Sequence, residues 1–259
     1  MIKVAKTAGF CYGVKRAVDR VYKGIEDNEK IATFGDLIHN RQVVDDLEKH
    51  GVFSYSDIDQ IPQNTKVVIR THGVGKGVID SLSEKGREYI DLTCPFVAKI
   101  HKIVNDNYKA GKKIIIVGDR NHPEVKGING WCNNEAFIIY DTNTKIPEKF
   151  IENDCCIVAQ TTINREIFGQ IVYFLKKTCK RVQFFDTICN ATKCRQEEAS
   201  KLALESDLMI IVGGKESSNT AKLYEIAGKS CKECYHVETA QELPQNIYTK
   251  NKKIGITAG

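Results

Sequence analysis

A chain of 259 residues with 42% hydrophobic side chains can fill the core of one large domain or of two to three small ones. Its formal charge of +5 is spread through lysine-rich stretches, with no aromatic-laced basic stripe or duplex-reading motif, so nucleic acid is disfavoured and an anionic small molecule suits the charge as well. No apolar run approaches the roughly 18 to 20 residues of a membrane span, and MIKVAKTAGF lacks the apolar core of a signal peptide; a cytoplasmic protein with no membrane partner is expected.

In chain order, the start reads as a short strand ending at a glycine, followed by the helical stretch VKRAVDRVYKGI and the strands KIATFG and TKVVIRTHG. VAKIHKIVNDNYKAG is the next helical pattern, then come the strands KKIIIVGD and CCIVAQTT, the helix REIFGQIVYFLKKT, and the strands VQFFDTIC, LMIIVGG and KKIGITAG. The alternation predicts an α/β fold with mostly parallel strands. Turn clusters such as SDIDQIPQNT and DTNTKIPEKF punctuate it as connections within domains.

Self-comparison adds a threefold pattern. Cys11, Cys94 and Cys189 each open a helical stretch, in AGFCYGVKRAVD, DLTCPFVAKIHK and DTICNATKCRQE. Counting 24 residues on from each reaches Gly35, Gly118 and Gly213, and counting 28 reaches His39, His122 and Ser217. A second polar strand end follows in each unit, around Thr71 and His72, around Thr161 and Thr162, and around Thr257. The pattern predicts three similar αβ units with mostly parallel sheets around a pseudo-threefold axis, each offering one cysteine to a common centre. The expected boundaries are 13–93, 94–189 and 190–259, the last completed by residues 1–12.

Ten cysteines in a long chain expected to sit in a reducing compartment exceed what packing needs, so some of them are expected to hold a metal or a cluster. Three converging thiolates would leave one position open, on zinc or on one iron of a cubane. The alternative for any free cysteine is core packing, and it is preferred for Cys132, Cys155, Cys156, Cys179 and Cys194. Cys231 and Cys234 form a CKEC spacing, but no second CxxC completes a zinc site, so an incidental role is expected.

Around that centre, His39, His72 and His122 are able to donate to phosphate, and Ser217, Ser218 and Asn219 add hydroxyl and amide donors. Glu124 is the one carboxylate among the motif residues; it is suited to passing a proton, with Thr161 or Thr162 orienting the path. The bland reading of Glu124 is a first-turn helix residue. THGVGKG lacks GxGxxG spacing and neither it nor GGKESSNT reads GxxxxGK[ST], which disfavours dinucleotide and nucleoside-triphosphate sites.

On the stretches GFCYGVKRAV, HNRQVVDDL, THGV, TCPFVAKIH, HPEVKG, QTTI, DTICNAT with RQEEA, GGKESSNT and GITAG, the chain resembles the 4-hydroxy-3-methylbut-2-enyl diphosphate reductase family, also called LytB. The resemblance implies a 4Fe–4S cluster at the centre of the fold, held by Cys11, Cys94 and Cys189, with one open iron that binds the substrate hydroxyl. It implies reductive dehydroxylation to isopentenyl and dimethylallyl diphosphates, with ferredoxin or flavodoxin as electron donor. Glu124 and Thr161 take the catalytic roles, and His39, His72, His122, Thr162, Ser217, Ser218 and Asn219 the substrate-binding ones. The family motif continues past TAG with Ala-Ser and a helix, so weakened substrate binding is expected of a chain stopping at Gly259. Competing readings are a zinc-dependent hydrolase of a phosphorylated substrate and a non-catalytic iron–sulfur sensor; a monomer is the default.

Overall fold

Runs such as KIIIV and DCCIVA are apolar at consecutive positions, which suits strands covered on both faces, as in parallel sheets. The computed structural model describes residues 1–245, 247 and 252–259. In chain order its elements are β1 (Ile2–Val4), α1 (Tyr12–Glu26), β2 (Ile31–Phe34), α2 (Arg41–Lys49), β3 (Ser54–Tyr55), β4 (Lys66–Ile69), α3 (Lys76–Glu84) and β5 (Tyr89–Asp91). Next come α4 (Pro95–Lys109), β6 (Lys113–Val117), α5 (Pro123–Asn129), β7 (Phe137–Ile139), α6 (Glu148–Ile151), β8 (Asp154–Ala159), α7 (Arg165–Thr178) and β9 (Arg181–Phe184). The last are α8 (Asn190–Leu204), β10 (Leu208–Val212), α9 (Ser218–Gly228), β11 (Cys234–Val237) and β12 (Ile254–Ala258).

These strands form three four-stranded sheets in the orders β3-β2-β4-β5, β7-β6-β8-β9 and β11-β10-β12-β1. Every pairing among the described residues is parallel. The three sheets share one topology: a first strand, a second on one side of it, a third on the other side and a fourth beyond the third. In the last sheet that fourth place belongs to β1, whose Ile2, Lys3 and Val4 pair with Ile254, Gly255 and Ile256 of β12. The chain is therefore α/β, with three similar parallel sheets, each flanked by helices.

By compactness the residues fall into two units, Met1–Cys11 with His39–Gln42 and Cys189–Gly259, and Tyr12–Ile38 with Val43–Ile188. The larger unit holds two sheets, each with a core on both faces. Ile115, Val117, Cys155 and Ile157 pack on one side with Phe168, Ile171 and Leu175 of α7, while Ile114, Ile116, Cys156 and Val158 pack on the other with residues of α4 and α5. Adjacent cysteines thus point to opposite faces, as strand geometry requires. In its other sheet Ile31 and Val68 pack with α1, and Ala32, Val67 and Ile69 with Leu82 of α3. In the smaller unit Met209 and Ile211 face α8 and α9, while Leu208 and Ile210 pack with Val237 and Ile254.

Local signals explain where helices begin. Asn164 caps α7, its side chain accepting from the backbone N–H groups of Glu166 and Ile167, and α4 and α5 open with Pro95 and Pro123, where a missing N–H costs nothing. Helix α7 buries Phe168, Ile171, Val172 and Leu175, spaced to form one face. No helix among the described residues is long and apolar enough to cross a membrane.

Candidate functional site

In the larger unit the polar motif residues gather at the carboxyl ends of the strands, where open α/β sheets place ligands. Gly35 and Gly118 directly follow β2 and β6, Thr71 and His72 follow β4, and Gln160, Thr161 and Thr162 follow β8. His122 caps α5: its Nδ1 accepts from the Glu124 backbone N–H at 3.1 Å. With Nδ1 accepting, the neutral ring carries its proton on Nε2, as a donor. The His72 and His122 rings meet edge to face, with centroids 5.4 Å apart.

Glu124 is 2% exposed, and its carboxylate is clasped by one residue. The Thr161 backbone N–H donates to Oε1 and the Thr161 hydroxyl to Oε2, both at 2.6 Å. Burial pushes the carboxyl up to about 7, against the lowering effect of the two Thr161 hydrogen bonds. A carboxyl poised near neutrality can hold or release a proton in a working pH range. Thr162 turns elsewhere, accepting from Gln160 Nε2 at 2.9 Å, while Gln160 Oε1 accepts from the Asp119 N–H at 3.1 Å. Gln160 thereby ties the ends of β6 and β8 together. Thr187 extends the same strand end, its hydroxyl accepting from Ala159 N–H at 2.8 Å and donating to Ala159 C=O at 2.7 Å.

Cys94 caps α4 without a side-chain hydrogen bond to the helix, and its N–H donates to Thr71 C=O at 3.0 Å. Its Sγ lies 2.7 Å from where a Cβ on Gly13 would stand, so the first turn of α1 needs a glycine there. In the smaller unit Cys189 caps α8, and Cys11 closes a segment fastened by that helix. Arg195 donates to Thr7 C=O at 2.9 Å and to Gly9 C=O at 2.7 Å, and Glu198 accepts from the Lys6 and Thr7 N–H groups and the Thr7 hydroxyl. Arg195 and Glu198 belong to the RQEEA stretch, where a charged pair on a helix beginning at a motif cysteine is the signal that could have marked them.

Also in the smaller unit, the His39 carbonyl lies 2.3 Å from where a Cβ on Gly214 would stand. Ser217 caps α9, its Oγ accepting from Thr220 N–H at 3.3 Å and from the Thr220 hydroxyl at 2.9 Å. Ser218 is the first helical residue. The Asn219 Oδ1 is buried without a hydrogen-bond partner, and its Nδ2 is 2.8 Å from a notional Cβ on Gly259. Thr257 is fully buried in β12 with its Oγ1 unpartnered.

Cys132, Cys155, Cys156, Cys179 and Cys231 are buried and behave as packing groups, whereas Cys194, expected to pack in the core, is exposed, so that expectation is corrected. Burial raises Cys132 to about 11 and Cys155 and Cys156 to about 12, which keeps them protonated and unreactive. Cys234, raised to about 12 by burial and by its neighbour Cys231, donates to the Cys231 carbonyl at 3.1 Å. Cys194 is exposed on α8.

A four-iron cluster on Cys11, Cys94 and Cys189 is not what the described residues bring together. The side chains among them that could jointly hold a metal ion are His39, His72 and His122; the three thiols form no such group. The expectation of a three-cysteine cluster with one open iron is corrected accordingly. Each of these cysteines stands at the entry to its own helix, and equal positions in a repeat do not by themselves make sulfurs converge.

Residues 2–259 match the family model described as LytB protein. The chain belongs to the LytB family. It is 45% identical over 262 residues to a 4-hydroxy-3-methylbut-2-enyl diphosphate reductase of Thermoanaerobacter sp. strain X514, covering 100% of this chain and 91% of the relative. A reductase of the same name from Clostridium perfringens is 46% identical over 261 residues, covering 99% of this chain and 92% of the relative. A solved structure of (E)-4-hydroxy-3-methyl-but-2-enyl diphosphate reductase, the terminal enzyme of the non-mevalonate pathway, is similar at 40% identity with TM-score 0.73, covering 100% of this chain and 92% of its own. That of the E-1-hydroxy-2-methyl-but-2-enyl-4-diphosphate reductase from Plasmodium falciparum is similar at 28% identity with TM-score 0.91, covering 100% and 83%. The LytB fold is thus the frame on which the three repeated strand ends are carried.

Proposed function

We propose that this chain is an iron–sulfur oxidoreductase that converts 4-hydroxy-3-methylbut-2-enyl diphosphate to isopentenyl and dimethylallyl diphosphates. The reaction adds two electrons and two protons, breaks the allylic carbon–oxygen bond, and releases the hydroxyl as water. Full-length identity to reductases of that name supports the reaction, and the single structural observation that carries it is the buried Glu124 clasped by Thr161. A ferredoxin or flavodoxin supplies the electrons, and the enzyme works as a cytoplasmic monomer.

The roles follow from the chemistry of each side chain. Glu124, near neutrality in its burial, delivers a proton to the departing hydroxyl oxygen, and Thr161 orients it. When Glu124 is protonated its O–H can donate back to the Thr161 oxygen, so one pair serves both protonation states. His72 and His122 in one unit, and His39, Ser217, Ser218 and Asn219 in the other, act on the substrate through N–H and O–H donors suited to a diphosphate. Thr162 is a substrate contact held by Gln160.

The test is anaerobic turnover of the allylic diphosphate with a reduced one-electron donor. The native chain is expected to form both products, and Glu124→Gln to lose about 10²- to 10⁴-fold in rate, the usual contribution of a proton-transfer group, while binding the substrate within about threefold. A colourless anaerobic protein carrying stoichiometric zinc and inactive with any reduced donor would sink the reading.

A further inference from the structure

His101, on α4, and Trp131, in the short turn after α5, are not used by the proposed chemistry, yet they lie under the loop that carries His72. His101 is 5% exposed and stacks on Trp131 with ring centroids 5.3 Å apart and planes 22° from parallel. Trp131 Nε1 donates to the Val74 carbonyl at 2.9 Å. Gly73 adopts φ +67°, and a Cβ there would stand 2.4 Å from His101 Cε1 and 3.0 Å from Thr93 Cγ2. The backbone beside His72 therefore rests directly on the His101 ring edge, in a conformation that suits glycine.

The same loop is gripped from the segment that bears the other site residues. A Cβ on Gly127 of α5 would lie 3.5 Å from the His72 carbonyl, and one on Gly130 only 2.5 Å from Gly75 Cα. The Gly127 approach is ordinary van der Waals contact, but the Gly130 approach leaves no room for a side chain between the loop and the end of α5, whose first turn carries His122 and Glu124. His101 supplies a flat, uncharged wall in this packing. Burial depresses its pKa to about 4, and its Nε2 is buried with no hydrogen-bond partner. A buried polar atom left unpaired is costly, so a hydrocarbon ring of the same outline would serve the packing at least as well.

We propose that His101 and Trp131 are positioning residues: the stacked pair clamps residues 71–75 and so sets the His72 ring for the anionic group of the substrate. This rests on the reading of His72 as a diphosphate contact. The pair touches no reacting atom and acts on binding through the loop.

The experiment uses the active enzyme and four variants, His101→Ala, His101→Phe, Trp131→Ala and His72→Ala, each checked for folding by circular dichroism. The readouts are KM and kcat for the allylic diphosphate, inhibition by inorganic diphosphate, and amide hydrogen exchange of residues 72–75. His101→Ala and Trp131→Ala are expected to speed that exchange, to raise KM and weaken diphosphate inhibition by about tenfold, and to leave kcat within about threefold; displacing a group by about 1 Å can cost up to a hundredfold. His101→Phe restores exchange protection and affinity. Unchanged exchange in the alanine variants, or failure of phenylalanine to restore affinity, overturns the clamp. Faster exchange with unchanged affinity, where His72→Ala does weaken binding, overturns the link to His72. If His72→Ala itself leaves affinity unchanged, the assignment of His72 as a contact is what has failed, and the positioning role falls with it.

Discussion

Glu124 and His101 lie in the same unit and carry proton affinities displaced in opposite directions, mainly by burial: Glu124 from 4.5 up to about 7, His101 from 6.5 down to about 4. Between pH 4.5 and 7 the folded chain keeps the Glu124 proton that the unfolded chain releases. Its stabilising share is therefore complete below pH 4.5 and is lost as pH rises through 7. Between pH 6.5 and 4 the unfolded chain binds a proton on His101 that the folded chain refuses, so that share is complete above 6.5 and is lost as pH falls through 4. Each group changes stability by about 1.4 kcal/mol per pH unit inside its window, and over pH 4.5 to 6.5 the two slopes oppose and nearly cancel. Removing either partner unmasks the other. In urea titrations across that range, Glu124→Gln is expected to gain stability with rising pH, by about 3 kcal/mol relative to the native chain's trend, and His101→Phe to lose about as much. The double variant should follow the native slope, because subtracting curves removes every group common to both chains. Single variants whose slopes match the native chain, or share one sign, would refute the displaced affinities and with them the role of burial.

Thr161→Val removes the hydroxyl that favours the Glu124 carboxylate, so the Glu124 step in such stability curves should move upward by roughly one pH unit; a downward move would contradict the assigned hydrogen bond. Gly130→Ala puts a methyl group 2.5 Å from the Gly75 Cα, backbone against backbone, and is expected to lower stability by about 1 to 3 kcal/mol in urea unfolding. Asn164→Ala should cost about 1 kcal/mol by loss of the α7 cap, whereas Ile157→Ala, fully buried between strands and helices, should cost about 2 to 5 kcal/mol. Equal effects of the last two changes would show that the core beside β8 relaxes around the cavity.

Long apolar runs made the central strands legible, because β6 and β8 are buried on both faces and need β-branched residues at consecutive places. Of the peripheral strands, β1 and β9 were read from the sequence, but β3, β5 and β7 were not legible, for the opposite reason. β3 has two residues, β5 and β7 have three, and no periodicity can be read from so few positions. β1 is exposed at all three residues and is a strand through its pairing with β12, a partner more than 250 positions away. His101 and Trp131 passed unnoticed because each is an ordinary helix or turn residue in sequence, and only their stacking on each other and the Gly73 backbone resting on the His101 ring give the pair a purpose. For the cysteines, the repeat correctly marked helix entries, with Cys94 and Cys189 both at caps, but a spacing rule reports position along the chain and not the direction in which sulfurs point.

The 28-residue offset has a cause that needs no ligand: in two of its three occurrences the residue it reaches is a helix cap. His122 and Ser217 both follow a strand, a glycine and a short turn, and both spend an acceptor on the first turn of a helix, through Nδ1 on Glu124 N–H and through Oγ on Thr220 N–H. Capping alone would select asparagine, aspartate or serine at such places, and histidine is not among the preferred caps. What histidine and serine share, and aspartate lacks, is a proton left to give once the acceptor is used. A side chain whose acceptor is committed to the helix is left as a donor only, and its helix N-terminus adds further positive potential. The capping requirement thus leaves a hydrogen-bond donor at each of these strand ends, and if Ser217 contacts the diphosphate as proposed, an aspartate in its place should keep the α9 cap while repelling that anion. Such a Ser217→Asp chain is expected to retain native stability within about 0.5 kcal/mol, since serine and aspartate cap about equally well, yet to lose inorganic diphosphate inhibition by at least about tenfold through like-charge repulsion. Retained inhibition in a stably folded variant would show that the Ser217 hydroxyl serves the helix alone.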